Sequence, residues 1–465
     1  MSKTATASDL NTNLRARHIT MLSIGGVIGA GLFVGSGSAV ALAGPASIIS
    51  YAIAGLLVVL IMRMLGEMAA ASPDSGSFST YADRAIGKWA GYTIGWLYWW
   101  FWVLVIPLEA NVAASILHGW FESVPVWTFS LFITLALTGS NLLNVKNYGE
   151  FEFWLALTKV IAILAFIVIG CMALTGVIPS AENAGLSLMW SQGGFMPHGI
   201  GSVLAAVLIT MFSFMGTEIV TIAAAETSSP AEHVVRATRS VIGRISVFYL
   251  GSIFMVITLV PWNSHGLTTL GSYQTVLESL HIPYAKLIMD CVILLAVTSC
   301  LNSALYTASR MLFSLSKRGD APALARKTNR VKTPYVAVML STIAAFLTVI
   351  ANYYAPKNVF DFLIASTGSV ALLVYLVIAI SQLRMRTKMR HDQMPIRMWG
   401  YPWITLAVIA FIVVMLACML FMPDQRGQVL ATLILAAAVV LSSFWVHRKK
   451  RDQRAPAGQL EKSVG

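Results

Sequence analysis

Long apolar runs separated by short polar connections dominate the pattern of this chain. Each run is about 20 residues long, which is enough for a helix to cross the hydrocarbon core of a bilayer. The pattern therefore predicts an all-α integral membrane protein, a single polytopic domain over residues 1–465 with twelve transmembrane helices. The runs lie at 18–42, 46–71, 89–117, 126–143, 151–176, 199–225, 241–262, 284–312, 335–353, 359–382, 402–422 and 427–446.

Glycine is concentrated in the first run, where four of the seven residues 25–31 are glycines. Glycines are poor helix formers, although small residues also let two helices approach closely. The sixth run carries Phe-Met-Gly-Thr-Glu at 214–218, at a similar depth. Paired interruptions of this kind mark the binding site in transporters built from inverted repeats. We therefore predict broken first and sixth helices.

An offset of five spans reverses the orientation of the chain, as a five-plus-five inverted repeat requires. The first repeat is predicted at 18–176 and the second at 199–382, followed by two further helices at 402–446. Tails at 1–17 and 447–465 flank this domain.

Composition and charge agree with a membrane protein. The chain is 57% hydrophobic and 11% charged, which excludes an ordinary soluble globule. Its net charge of +12 is unevenly distributed. If the N-terminus is cytoplasmic, only Lys286, Lys357 and Arg426 of the 32 Lys and Arg fall on outer segments, and Lys159 falls in a span. This bias predicts two cytoplasmic termini, with lipid rather than nucleic acid as the partner.

Lys159, Glu109 and Glu218 are three candidate buried ionisable residues within the apolar runs. A charge at membrane depth costs several kcal/mol and marks a functional site by default. Lys159 has the alternative of snorkelling to the cytoplasmic interface, since it lies nine residues from Glu150. For Glu109 the alternative is a hydrogen bond to Asn111 or a neighbouring helix, and for Glu218 a salt bridge fixing two spans.

A zwitterionic substrate would find both of its ends satisfied at the two breaks. The freed N–H groups around Gly29, Ala30 and Gly31 suit a carboxylate. The carbonyls at 212–215 and the Glu109 carboxylate suit an ammonium group. A polar face on span eight adds Asn302, for which interhelical hydrogen bonding is the alternative role. The candidate substrate-binding residues are Ile24, Gly25, Gly26, Gly29, Ala30, Gly31, Glu109, Phe212, Ser213, Phe214, Met215 and Asn302.

Five stretches of the chain resemble the bacterial amino acid permeases of the amino acid–polyamine–organocation superfamily. The Trp-rich third span and residues 221–226 favour the γ-aminobutyrate (GABA) branch over the aromatic, proline and lysine branches. The stretches are 17–35 (RHITMLSIGGVIGAGLFVG), 74–81 (DSGSFSTY), 95–102 (GWLYWWFW), 211–226 and 301–322.

The resemblance implies a proton-coupled symporter of the inner membrane that imports GABA and related ω-amino acids by alternating access. It places Lys159 where sodium-coupled relatives bind Na⁺, which makes Lys159 a proton-coupling residue. Burial disfavours a charged carboxylate, so Glu218 is the second coupling candidate. Neither a metal site nor a phosphate loop is indicated, so we expect no cofactor and no enzymatic activity. A permease for proline, 5-aminovalerate or an aromatic amino acid, or an amino acid sensor, is the alternative; the oligomeric state is not indicated.

Overall fold

The computed structural model describes residues 16–142, 145–179, 184–224, 227, 229–354, 356–388 and 395–454. Helices connected by turns and loops make up these residues. The first half contains α1 (Ala16–Gly25), α2 (Ser36–Ala43), α3 (Ser47–Ala71), α4 (Ser77–Ala85), α5 (Lys88–Trp120), α6 (Val126–Leu142), α7 (Val145–Leu174), α8 (Leu188–Ser191), α9 (Gly199–Phe212) and α10 (Ile219–Ala223). The second contains α11 (Pro230–Arg244), α12 (Ser252–Leu259), α13 (His265–Thr269), α14 (Ser272–Ser279), α15 (Ala285–Lys317), α16 (Tyr335–Tyr354), α17 (Pro356–Arg386), α18 (Trp403–Phe421) and α19 (Pro423–Arg454).

Eight helical stretches in the described part of the chain are long and apolar enough to cross a membrane. They are Gly31–Ala71, Lys88–Trp120, Gly149–Leu174, Pro230–Leu259, Ala285–Lys317, Ser369–Arg386, Trp403–Phe421 and Arg426–Arg448. The all-helical membrane architecture is thus confirmed. Two further predicted runs carry the shorter apolar helices α6 and α9. The total of twelve spans, the five-plus-five repeat and the tail boundaries stay predictions, and residues 1–15 and 455–465 lie outside the described residues.

The centre of the molecule is formed by the two 33-residue helices α5 and α15, which pack along each other. Helices α6 and α17 cover α5 on other sides, while α7 packs against both α1 and α15. The aromatic residues Tyr98, Phe101 and Trp102 of α5 are fully buried in this core. The α5–α15 pair therefore forms the wall against which the interrupted helices lie.

The backbone leaves the helix at both places that the glycine pattern predicts. Helix α1 ends at Gly25, and after residues 26–29 the chain resumes in a π-helical segment at Gly31–Gly35 that continues into α2. Helix α9 ends at Phe212, and α10 begins at Ile219 after turns at 213–218. We refer to residues 26–29 and 213–218 as the first and second breaks.

The two breaks pack directly against each other. Gly216 has a φ of +109°, and a Cβ there would strike the carbonyl oxygen of Gly26. A Cβ on Gly31 would lie 3.0 Å from the Cα of Ser213. The glycine cluster therefore has both predicted roles: it interrupts the helix, and it lets the two interrupted spans approach each other closely.

Candidate substrate and coupling site

The Lys159 ammonium lies at the first break. Its side chain is fully buried, and its Nζ donates hydrogen bonds of 2.6 Å to the carbonyl oxygens of Gly25 and Ile28. These carbonyls end the inner half of the interrupted span, where a helix terminus favours a positive charge. Lys159 therefore binds the break rather than snorkelling to the interface.

Glu109 lies at the other side of the same break. Its carboxylate, on α5, is 1% exposed and accepts the N–H of Ala30 at 3.4 Å to Oε1 and 3.3 Å to Oε2. Ala30 begins the outer half-helix, where the terminus favours an anion. The sequence predicted that this amide would meet a substrate carboxylate and that Glu109 would meet an ammonium group. In the structure the two predicted partners contact each other, which matches the alternative of a hydrogen bond to a neighbouring helix.

Glu218 belongs to the second break. Its carboxylate accepts the N–H of Gly216 at 3.1 and 3.2 Å and the hydroxyl of Tyr98 at 2.9 Å. Among the described residues no basic side chain forms a salt bridge with it. The alternative role predicted for Glu218 was a salt bridge between two spans. In the structure its carboxylate instead accepts hydrogen bonds from the second break and from α5.

Three of the four carbonyls predicted to bind an ammonium group already have donors. The oxygen of Phe212 accepts the N–H of Met215 at 3.4 Å, and the oxygen of Ser213 accepts the Tyr249 hydroxyl at 2.8 Å. The oxygen of Phe214 accepts the hydroxyl of Thr217 at 2.7 Å. The ammonium-binding surface of the second break is therefore narrower than the sequence indicated, and it centres on Met215.

A small cavity, with room for about one water molecule, lies between the two breaks and the α5–α15 wall. Six predicted substrate residues contribute to its lining. The lining residues are Gly26, Val27, Gly29, Gly31, Phe101, Trp102, Val105, Glu109, Phe212, Met215 and Cys300.

A second small cavity lies on the inner-half side of the first break against α11. Ile24 and Phe214 line this cavity rather than the first one. The carbonyl oxygen of Gly25 accepts a hydrogen bond from Lys159, and the N–H of Ala30 donates one to Glu109.

Asn302 binds neighbouring helices in this structure, and its assignment to the substrate stays a prediction. Its Nδ2 donates to Glu152 at 3.2 Å, and its Oδ1 accepts Asn141 at 2.8 Å and Ser140 at 3.2 Å. The polar face of α15 at this level points towards α6 and α7, so Asn302 has the interhelical role that was its alternative.

Sequence reasoning missed the buried carboxylate of Glu152. It precedes Lys159 by seven residues, a spacing that places both on one face of a helix. That spacing was available as a signal, but Glu152 lies near the start of the apolar run and resembles a loop residue. Tyr98 was also visible only as one of five consecutive aromatic residues, of which Phe101 and Trp102 line the cavity.

Comparisons with known proteins agree with this architecture. The chain is 67% identical to the γ-aminobutyric acid permease of Escherichia coli strain K12, over 95% of each chain. It is 41% identical to an aromatic amino acid transport protein of Corynebacterium glutamicum, over 96% of this chain and 98% of the other. A crystal structure of a manganese transporter from Eremococcus coleocola shares the fold, with a TM-score of 0.57 at 13% identity, covering 94% of this chain and 97% of that one.

The sequence model of the amino acid permease family matches residues 18–456, which is nearly the whole chain. Together with relatives that match over almost their full length, this match establishes the family. The chain belongs to the amino acid permease family of the amino acid–polyamine–organocation superfamily.

Proposed function

We propose that this permease is a proton-coupled symporter that imports GABA and related ω-amino acids across the cytoplasmic membrane by alternating access, with both termini in the cytoplasm. The observation that carries the proposal is the meeting of two unwound segments around a small cavity bordered by Glu109. Unwound backbone at membrane depth is tolerated where it lines a cavity or is buried in protein. The names of the relatives, GABA permeases at 67% and 61% identity, support the substrate.

The substrate carboxylate would take the N–H of Ala30 at the outer half-helix, in place of the Glu109 carboxylate that it binds in the structure. Glu109 would then turn to the substrate ammonium, helped by the carbonyl of Met215 in the second break. This exchange of partners leaves each charge in the cavity with an opposite charge or dipole, as a low-dielectric site requires.

Coupling would use Lys159. Its ammonium holds the carbonyls of Gly25 and Ile28 together, so loss of its proton weakens the inner end of the first break. Glu218 would serve as the corresponding group at the second break, because it holds the N–H of Gly216. Protonation at these two positions and movement of the two breaks are thereby linked.

Purified protein in liposomes tests the proposal. An inwardly directed pH gradient should drive accumulation of labelled GABA without sodium, and collapse of the gradient by an ionophore should stop it. Accumulation that follows a sodium gradient and ignores the pH gradient would contradict the proton coupling.

A counterflow assay across amino acids tests the substrate separately. We expect exchange with GABA and 5-aminovalerate. Preference for proline or for an aromatic amino acid would instead support the second candidate, a permease for that amino acid. The 41% identity to an aromatic amino acid transport protein is the reason for testing this candidate.

A further inference from the structure

Glu152 is a buried carboxylate for which the proposed cycle has no role so far. It lies on α7, fully buried, at the end of the helix that carries Glu150. Seven residues separate it from Lys159, so the two side chains share one face at a spacing of about 10 Å along the helix axis. Glu152 therefore lies between the proposed coupling lysine and the cytoplasmic end of α7.

Its hydrogen bonds come from neutral side chains. Ser299 donates to Oε1, and Asn302 donates to Oε2 at 3.2 Å. Among the described residues no basic side chain forms a salt bridge with it. A buried carboxylate held only by neutral donors is costly when charged, and it can exist in both protonation states without breaking an ion pair.

Glu152 also touches the first break directly. A Cβ on Gly25 would strike its Oε1, and the carbonyl of the same Gly25 accepts the Lys159 ammonium. One glycine thus separates the carboxylate from the lysine contact. If the inner half-helix moved away from α7, Lys159 would lose its hydrogen bond to the Gly25 carbonyl. The backbone that separates Lys159 from Glu152 would move away at the same time.

The charged and titratable groups on the neighbouring elements leave Lys159 as the natural proton donor. Helix α1 presents Arg17 and His18, which bind Glu150 at the cytoplasmic end. On α15 the titratable residue is Cys300, next to Ser299, and on α5 it is Glu109, which binds the N–H of Ala30. Lys159 is the basic group on the Glu152 face of α7, and both residues contact Gly25.

We propose that Glu152 accepts the proton of Lys159 on the cytoplasmic side of the transport cycle, an inference that rests on the proposed proton symport. An N–H bond of the ammonium breaks and leaves its electron pair on nitrogen, while an O–H bond forms on the carboxylate. The proton then leaves Glu152 for cytoplasmic water, and Lys159, as a neutral amine, releases the two carbonyls of the first break. Glu152 is in this sense a proton relay that does not touch the substrate.

The test compares net uptake with exchange in Glu152→Gln. The amide keeps the size of the side chain but cannot carry the proton. We expect pH-gradient-driven GABA accumulation to fall at least tenfold, while GABA counterflow, which needs no net proton movement, stays within about threefold of wild type. Glu232→Gln is the matched control, because Glu232 is an exposed carboxylate on α11, with 65% of its side chain accessible, and should change neither rate.

Unchanged accumulation in Glu152→Gln would overturn the relay, and so would a parallel loss of accumulation and counterflow in a variant that folds normally. If the glutamine variant does not fold, Ser299→Ala decides, because it leaves the carboxylate in place but removes one of its donors. We expect this variant to displace the internal-pH dependence of GABA efflux by at least half a pH unit, and an unchanged profile would overturn the relay. Wild-type accumulation in the same liposomes tests the symport itself, so the two proposals fail separately.

Discussion

At the scale of single residues, three buried charges of this permease bind backbone groups. Lys159 holds two carbonyls, Glu109 an amide of the outer half-helix, and Glu218 an amide of the second break. Helix termini and unwound segments offer such groups because their peptide units lack partners within the helix. The charged side chains therefore act on the shape of the backbone, which is the part of a transporter that has to move.

Removing the Lys159 ammonium separates coupling from binding. We expect Lys159→Ala to abolish pH-driven accumulation of GABA while counterflow persists at a third or more of the wild-type rate, because Lys159 does not line the cavity. Lys388→Ala, at an exposed lysine after α17, is the control. A variant that accumulates GABA normally would remove Lys159 from the mechanism.

A methyl group at Gly216 should damage the contact between the two breaks. Its φ of +109° is strained for alanine, and the added carbon would strike the Gly26 carbonyl. We expect Gly216→Ala to abolish transport and to lower the yield of folded protein. Gly243→Ala is the matched control, because a Cβ there has nothing within 4 Å and alanine favours a helix by up to about 1 kcal/mol. Equal transport by both variants would show that the breaks do not need this close approach.

At the scale of elements, the interruptions of the first and sixth spans were predictable from glycine spacing, but their partners were not. The contacts of Ala30 with Glu109 and of Gly25 with Lys159 join residues 79 and 134 positions apart. Periodicity places a side chain on a helical face and does not specify which helix it meets. The bonds of Asn302 to α6 and α7 could not be predicted for this reason, and Glu152 was overlooked because its burial depends on α15.

A carboxylate also joins the ends of two spans on the side away from the cavity. Glu67 of α3 is fully buried and accepts Gln382 at 3.0 Å, Arg386 at 2.8 Å and the N–H of Met398 at 2.6 Å. This cluster holds the end of α17 and the segment before α18 against α3.

Breaking this cluster should lower stability without changing substrate choice. Loss of one partner of a buried ion pair costs about 3–5 kcal/mol, so Glu67→Ala should unfold at a clearly lower temperature than wild type in detergent. Glu232→Ala removes an exposed pair worth about 0–1 kcal/mol and should leave the unfolding temperature nearly unchanged. Equal unfolding temperatures for the two variants would show that the cluster is not a stabilising contact.

At the scale of the whole molecule, the proposed site demands a ligand with two charged ends at a set separation. The outer half-helix offers a dipole for an anion, and Glu109 and the second break offer oxygens for a cation. The outer half-helix and the second break are both parts of interrupted spans, so a ligand that bridges them stabilises one arrangement of the two spans.

Single-ended analogues should therefore compete poorly. We expect ω-amino acids of similar length to inhibit labelled GABA uptake, whereas butyrate and butylamine at the same concentration inhibit it at least tenfold less. Competition assays in liposomes measure this directly, with wild-type uptake in the absence of competitor as the reference. Strong inhibition by either analogue would mean that one end suffices for binding.

The contact between Glu109 and Ala30 has a consequence for selectivity. A carboxylate attached to the chain is a tethered competitor, with an effective concentration on the order of millimolar or above. Any free anion has to displace it and leaves a buried charge unpaired in doing so. The ammonium group of GABA can pair with the displaced Glu109 carboxylate, whereas chloride and simple fatty acids have no cationic group that could do so. The permease would thus reject the abundant anions of its surroundings through competition within its own chain, and the shape of the cavity would need to select only for length.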